Sequence, residues 1–287
     1  MSQPAEILIG CGEWGFRDLP LEEHFAIAAR LGFKVMEFGI GGGQPGRLPE
    51  SLAPSQIEAF VDLCHRHQIT TPFCCLENDF TLPDAAAHDR MLQRTLDQIE
   101  LAQELGASHV RLFTGFTPIG AMTPAIWSRM LAAFNAADEL CQSLGLVIAI
   151  ETHGKIELRN GVAHHTHTVT TDRDALARLV KSLPETVMFN YDPGNLKAVE
   201  PDDHRYALDL IGDRIDYCHL KDWRRSADGW EAVAIGDDDL DYARLLPQLP
   251  YRGILLIEYE PTADVEAGIK RSLDYLTRAG IDWAFGR

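Results

Sequence analysis

Short apolar runs rich in β-branched and aromatic side chains alternate along the chain with longer stretches whose apolar positions recur every three or four residues. The short runs read as buried strands: Ile7 to Cys11, Val35 to Ile40, Thr71 to Leu76, His109 to Thr114, Leu146 to Glu151, Val187 to Asp192, Ile215 to His219 and Ile254 to Glu258. The long ones read as amphipathic helices: Leu21 to Leu31, Pro54 to His67, His88 to Leu105, Pro124 to Leu144, Thr170 to Leu183, Asp202 to Leu210, Leu240 to Leu249 and Val265 to Ala279. Several of these end in glycine, as at Gly32, Gly106, Gly145 and Gly280, the residue that best accepts the left-handed backbone beyond a helix. Eight strand–helix units predict an α/β fold, a (β/α)₈ barrel. An open doubly wound sheet shares the alternation. However, no GxGxxG follows the first strand, and Gly41-Gly42-Gly43 leads into Pro49 and polar residues instead of a helix.

No linker or low-complexity tract interrupts the series, so one domain is expected over residues 1–287. Hydrophobic residues make up 46% and charged residues 24%, enough for a large core. The net charge of -17 would repel a phosphate backbone, which argues against nucleic acid as a partner. No apolar run has the length of a membrane span, and Met1 to Glu6 lacks the basic start and apolar centre of a secretory leader, so the expected location is cytoplasmic. Six cysteines without a CxxC pair are expected to be reduced and structural.

Against this background, four late strands close on a polar residue: Glu151, Asp192, His219 and Glu258. In a barrel, the C-terminal strand ends face the active site. Three carboxylates and an imidazole converging there predict a site for one divalent cation, with Mn²⁺ first and Mg²⁺, Co²⁺ or Zn²⁺ as alternatives. Such an ion would polarise a carbonyl and acidify the neighbouring C–H through an enediolate, with Glu151 and Glu258 as the acid/base pair. Lys221, on the same side of its strand as His219, is expected either to stabilise an oxyanion or to pair with Asp222 or Glu260. His153 reads as a substrate contact or a support for the ligands, and Trp14, with Phe16 and Trp223, as a wall of the pocket. His164, His165 and His167 read as a polar loop after the fifth strand more readily than as a metal site. Glu37 and Glu77 are candidates for setting selectivity.

This ordered set resembles the xylose-isomerase-like barrel superfamily of sugar isomerases and epimerases, which includes D-tagatose 3-epimerase, inosose dehydratase and endonuclease IV. The matching segments are Glu151-Thr-His-Gly, Asp192-Pro-Gly-Asn, His219-Leu-Lys-Asp and Glu258, with Gly10-Cys-Gly-Glu-Trp14 and Ile235-Gly-Asp-Asp-Asp-Leu240 around them. The resemblance covers nearly the whole chain. It implies the same four metal ligands, and it carries the substrate-contacting Glu and Arg of the ketose 3-epimerases onto Glu157 and Arg225. Where those enzymes hold a substrate-contacting His, this chain has Asn195, and the extra His ligands of endonuclease IV are missing. The implied activity is isomerisation or epimerisation of a sugar, keto sugar or cyclitol. A lyase that dehydrates an inosose or eliminates from a 3-keto glycoside is the alternative, and a non-catalytic barrel subunit is a third reading. Family members are commonly homo-oligomers.

Overall fold

The computed structural model describes residues 7–286, so the leader reading of Met1 to Glu6 lies outside the described residues. Eight parallel strands form a ring: β1 (Ile7–Cys11), β2 (Val35–Ile40), β3 (Thr70–Leu76), β4 (His109–Leu112), β5 (Val147–Glu151), β8 (Met188–Tyr191), β9 (Ile215–Leu220) and β12 (Ile254–Ile257). β1 pairs in parallel with β12 from Leu8↔Ile254 to Cys11↔Ile257, which closes the barrel and excludes the open sheet. A further strand, β13 (Trp283–Phe285), pairs with β1 outside the ring. Among the described residues, no helix is long and apolar enough to cross a membrane.

Helices α1 (Leu21–Leu31), α2 (Pro54–His67), α3 (Ala85–Glu104), α4 (Pro124–Leu144), α5 (Arg173–Ser182) and α9 (Val265–Arg278) follow the periodic stretches closely. Their ends are set by local chemistry. Asp84, Thr123 and Asp172 accept the first free N–H groups of α3, α4 and α5. Gly32 and Gly145 stop α1 and α4 with φ of 98° and 72°.

Two expected helices are mostly replaced by turns. The stretch from Asp202 is turn as far as Ala207, and only α7 (Leu208–Ile211) is helical. The stretch from Leu240 shrinks to α8 (Tyr242–Leu245) and a 3₁₀ turn containing Pro247. Proline lacks the N–H that would extend the helix. An unforeseen helix, α6 (Pro193–Val199), starts immediately after Asp192, which caps it by accepting the Asn195 N–H at 2.9 Å. Pro193 sits at its first position, where a missing N–H costs nothing.

A second sheet was not foreseen. β6 (Lys155–Arg159), β7 (Val162–Thr166), β10 (Asp222–Arg225) and β11 (Trp230–Val233) form an antiparallel sheet in the order β10-β11-β7-β6. The β6–β7 hairpin turns at Asn160 and Gly161, with φ of 52° and 80°, the paired left-handed geometry of a two-residue hairpin loop. His164 and His165, expected in a loop, are therefore strand residues.

The barrel has two core layers, and a small third cluster of Ala163, Ala198 and Trp223 lies at the second sheet. The larger layer lies between barrel and helices; the smaller fills the barrel with Val35, Phe73, Ala149, Tyr217 and Leu256. Side chains of a strand alternate between faces, so the next inward position on these strands brings Glu37, Cys75, Glu151, His219 and Glu258 above that apolar layer. The fold thus stacks a charged layer on an oily plug, at the end of the barrel where the strands finish.

Candidate metal centre and active-site cavity

Glu151, Asp192, His219 and Glu258 are buried, and one ligand atom from each lies within 4.8 Å of the other three. His219 Nδ1 faces Glu258 Oε1 at 3.5 Å and Glu151 Oε1 and Asp192 Oδ2 at 3.8 Å. These separations are long for hydrogen bonds. They are close to the spacing of roughly 3–3.6 Å that donors keep when each lies about 2.0–2.2 Å from a shared ion. The donor set, its burial and its excess of negative charge therefore fit a divalent cation.

Each glutamate divides its two oxygens. Oε1 of Glu151 and of Glu258 faces the centre, while Oε2 of Glu151 is ion-paired with Arg111 and Oε2 of Glu258 with Lys221 Nζ at 2.7 Å. Lys221 also meets Glu260 at 2.5 Å, so of the two expected ion-pair partners it contacts Glu260, with Glu258 in addition. Asn195 Nδ2 donates to Glu151 Oε1 and Asp192 Oδ2, both at 3.0 Å, locking two of the carboxylates. Asn195 is wholly buried, so it braces the candidate ligands and does not line the cavity.

Arg111 was not anticipated. Its Nε donates to Glu37 Oε1 at 2.8 Å, and Tyr217 OH donates to that same oxygen at 2.5 Å. Glu37 Oε1 also lies 3.6 Å from His219 Nε2, which places a carboxylate behind the imidazole and leaves Nδ1 facing the centre. Burial alone would raise the Glu37 and Glu151 carboxyls, but Arg111 and His219 overcompensate and hold both below the usual range. Burial would likewise lower His219, yet Glu258, Glu37 and the other carboxylates hold it well above the ordinary imidazole value.

A second unforeseen pair lies alongside. Glu13 is fully buried 3.6 Å from Arg47 Nε, and burial raises its carboxyl to about 7 against the pull of Arg47. Arg47 also pairs with Glu77, so the Glu77 carboxylate stands at the cavity edge already engaged.

Above the centre opens a cavity of about 880 Å³. Glu151, Glu258, Lys221 and Arg111 line its inner end, and His153, Trp14 and Trp223 also line it. His153 packs against Phe113 and Phe116 with ring centroids 5.2 and 5.6 Å away. Trp14 Nε1 donates to Glu260 at 2.9 Å. Phe16 instead lies in the core, stacked on His24 at 4.0 Å.

Two residues carried over from the ketose 3-epimerases lie elsewhere. Glu157 shares the β6 face opposite Ile156 and Leu158, pairs with Lys155 and Arg159, and does not line the cavity. Arg225 is exposed at the end of β10, also outside the lining. In both cases the strand's two-residue alternation or its end removes the side chain from the site. His165 packs edge-on to Trp223 at 4.5 Å, and burial lowers it to about 3, so it is a neutral, half-buried imidazole. His167 bonds the Thr171 carbonyl at 2.6 Å.

Residues 25–279 match the family model described as the xylose isomerase-like TIM barrel, and the chain belongs to that family. No curated protein matches the sequence. Solved structures of the same fold include the IolI protein with a bound zinc atom (TM-score 0.76, 14% identity, 97% of this chain and 100% of that one). Another is a D-tagatose 3-epimerase-like protein (0.71, 18%, 96% and 98%). A third is the 3-keto-D-glucoside 4-epimerase YcjR from E. coli (0.70, 16%, 96% and 99%).

Proposed function

We propose that this chain is a divalent-metal-dependent isomerase or epimerase that moves a proton beside the carbonyl of a sugar, keto sugar or cyclitol. One observation carries the reading: Glu151 and Glu258 each present one oxygen to a common centre and anchor the other on a cation, Arg111 or Lys221. Glu151, Asp192, His219 and Glu258 would hold the ion; the oxygen-rich set favours Mn²⁺, with Mg²⁺, Co²⁺ and Zn²⁺ also accommodated. Bound there, a divalent ion supplies Lewis-acid polarisation of a carbonyl and so acidifies the adjacent C–H.

The protein's own part is to hold the substrate carbon between two carboxylates and to move its proton. Glu151 and Glu258 come from β5 and from the end of β12, with His219 and Asp192 between them, so they approach a substrate from different sides. A proton taken by one and returned by the other inverts a centre; taken and returned on one face, it moves a carbonyl. Lys221 and Arg111 anchor and orient the two carboxylates. The sugar epimerase named among the similar folds supports this class of substrate.

Metal analysis of the purified protein comes first, followed by solvent-deuterium exchange into ketoses, inososes and 3-keto glycosides with Mn²⁺ present. Metal-dependent label in an isomer or epimer, lost in Glu151→Gln and Glu258→Gln, is the expected result. Label accompanied by loss of water or an aglycone would reassign the chain to the lyases. A protein that takes up no metal would leave a binding role in place of catalysis.

A further inference from the structure

The cavity is larger than the centre beneath it requires. At about 880 Å³ it stands near the top of the range of roughly 300–1,000 Å³ for pockets that bury drug-sized ligands, well beyond one sugar ring. Its outer wall is the second sheet. Register places Ile156, Leu158, Ala163, Trp223, Trp230 and Ala232 on one face of that sheet, and all six line the cavity. The polar residues of β6, β7, β10 and β11 mostly take the opposite face. Leu158, next to the hairpin turn, is 74% exposed, the one large hydrophobic side chain so exposed among the described residues. Trp223 and Ala163 are buried against Ala198 of α6, and Ile156, Trp230 and Ala232 are half-buried, so the face is open to water mainly at Leu158, an apolar rim suited to being covered by a ligand.

The charges around this space are engaged. Arg17 donates to the carbonyls of Trp14 and Glu260 at 2.7 and 2.8 Å, Lys155 pairs with Glu157 at 2.6 Å, and Glu231 pairs with Arg224 at 2.6 Å. Arg17 has no carboxylate within ion-pair distance, so the lining offers mainly aromatic and aliphatic surface with Arg17 as a cation held on backbone carbonyls. Tryptophan faces suit the C–H side of a sugar ring or an aryl group.

Resting on the sugar-site reading above, we infer that the outer half of the cavity is a subsite for a second ring, so the substrate class is a keto-sugar glycoside and not a free monosaccharide. The glycone reaches Glu151 and Glu258, and the attached ring lies against Leu158, Trp230 and Trp223.

Calorimetric titration of the Mn²⁺-loaded full chain with matched phenyl and methyl glycosides of D-glucose, D-galactose and D-mannose tests the subsite without needing turnover. At least one phenyl glycoside should bind tenfold or more tighter than its methyl partner, and Leu158→Asp and Trp230→Ala should each bring that ratio close to one. Leu158 is exposed, so its substitution leaves the fold intact. Equal affinities, no binding in any pair, or a preference that survives both variants overturns the proposal. So does a change of sedimentation coefficient in Leu158→Asp without a change of ratio, which would assign the face to a second copy. A phenyl preference without deuterium exchange into any keto glycoside would sink the proton-transfer reading and leave the subsite standing. Exchange at equal efficiency for phenyl and methyl forms would do the reverse.

Discussion

Arg111 concentrates the electrostatics of the centre in one side chain, since it is buried and touches Glu37, Glu151 and Glu258. Arg111→Met would leave these carboxylates uncompensated, a loss of about 3–5 kcal/mol for a buried pair broken on one side. A divalent ion restores part of the missing charge. The variant should therefore lose more melting temperature with EDTA than with Mn²⁺, which differential scanning calorimetry reads. Glu13 gives a pH signature. Its carboxyl moves from 4.5 to about 7 on folding, so between those values the folded state keeps a proton that the unfolded chain releases. Stability from this group falls as pH rises through that window. Glu13→Gln removes the slope, and urea denaturation should show the variant gaining on the parent from pH 5 to pH 8. At this scale the four candidate ligands were legible because each closes an apolar strand. Arg111 was not, since it sits between Val110 and Leu112, although a guanidinium at an inward position of a buried strand was itself a signal.

The barrel elements were legible for the same reason they are stable: strands covered on both faces are apolar throughout, and the helices packed on them carry a single apolar stripe. The second sheet was missed because its strands are half solvated and short, and eight strands already accounted for a barrel. Yet Lys155-Ile-Glu-Leu-Arg159 alternates with period two and runs straight into Asn160-Gly161, a strong local hairpin signal. The sheet is tied to the barrel through α6. Lys197 Nζ reaches Asp222, Asp238 and Asp239 at 2.8, 2.6 and 2.7 Å. Burial already raises the Asp222 carboxyl to about 6 despite Lys197. Lys197→Met should destabilise the protein by about 3–5 kcal/mol. It pushes Asp222 higher still, and a buried acid with a raised value costs more as pH climbs above its unfolded value. The loss in urea midpoint should be larger at pH 8 than at pH 5.

On the scale of the molecule, a metal bound at the candidate centre would be linked to folding, because the four candidate ligands come from four different strand ends. An ion held at one hundred times its dissociation constant should add about 2.7 kcal/mol to the folded state. Titrating Mn²⁺ into chelator-treated protein should raise the melting temperature accordingly, and Glu151→Gln or Glu258→Gln should abolish most of the rise. The parallel ring was legible, and so was its closure, but the asymmetric outer sheet that shapes the cavity depends on chain-distant pairings such as Trp230 with Ala163, which no local pattern encodes.

The pairing of β1 with β12 also carries a lesson about biosynthesis. The strand that closes the ring leads directly into Glu258, so a nascent chain can complete its candidate ligand set only as it completes its barrel. Glu151, Asp192 and His219 leave the ribosome earlier as an unfinished trio on an open sheet. The full four-residue candidate set therefore exists only in chains that reach the last strand.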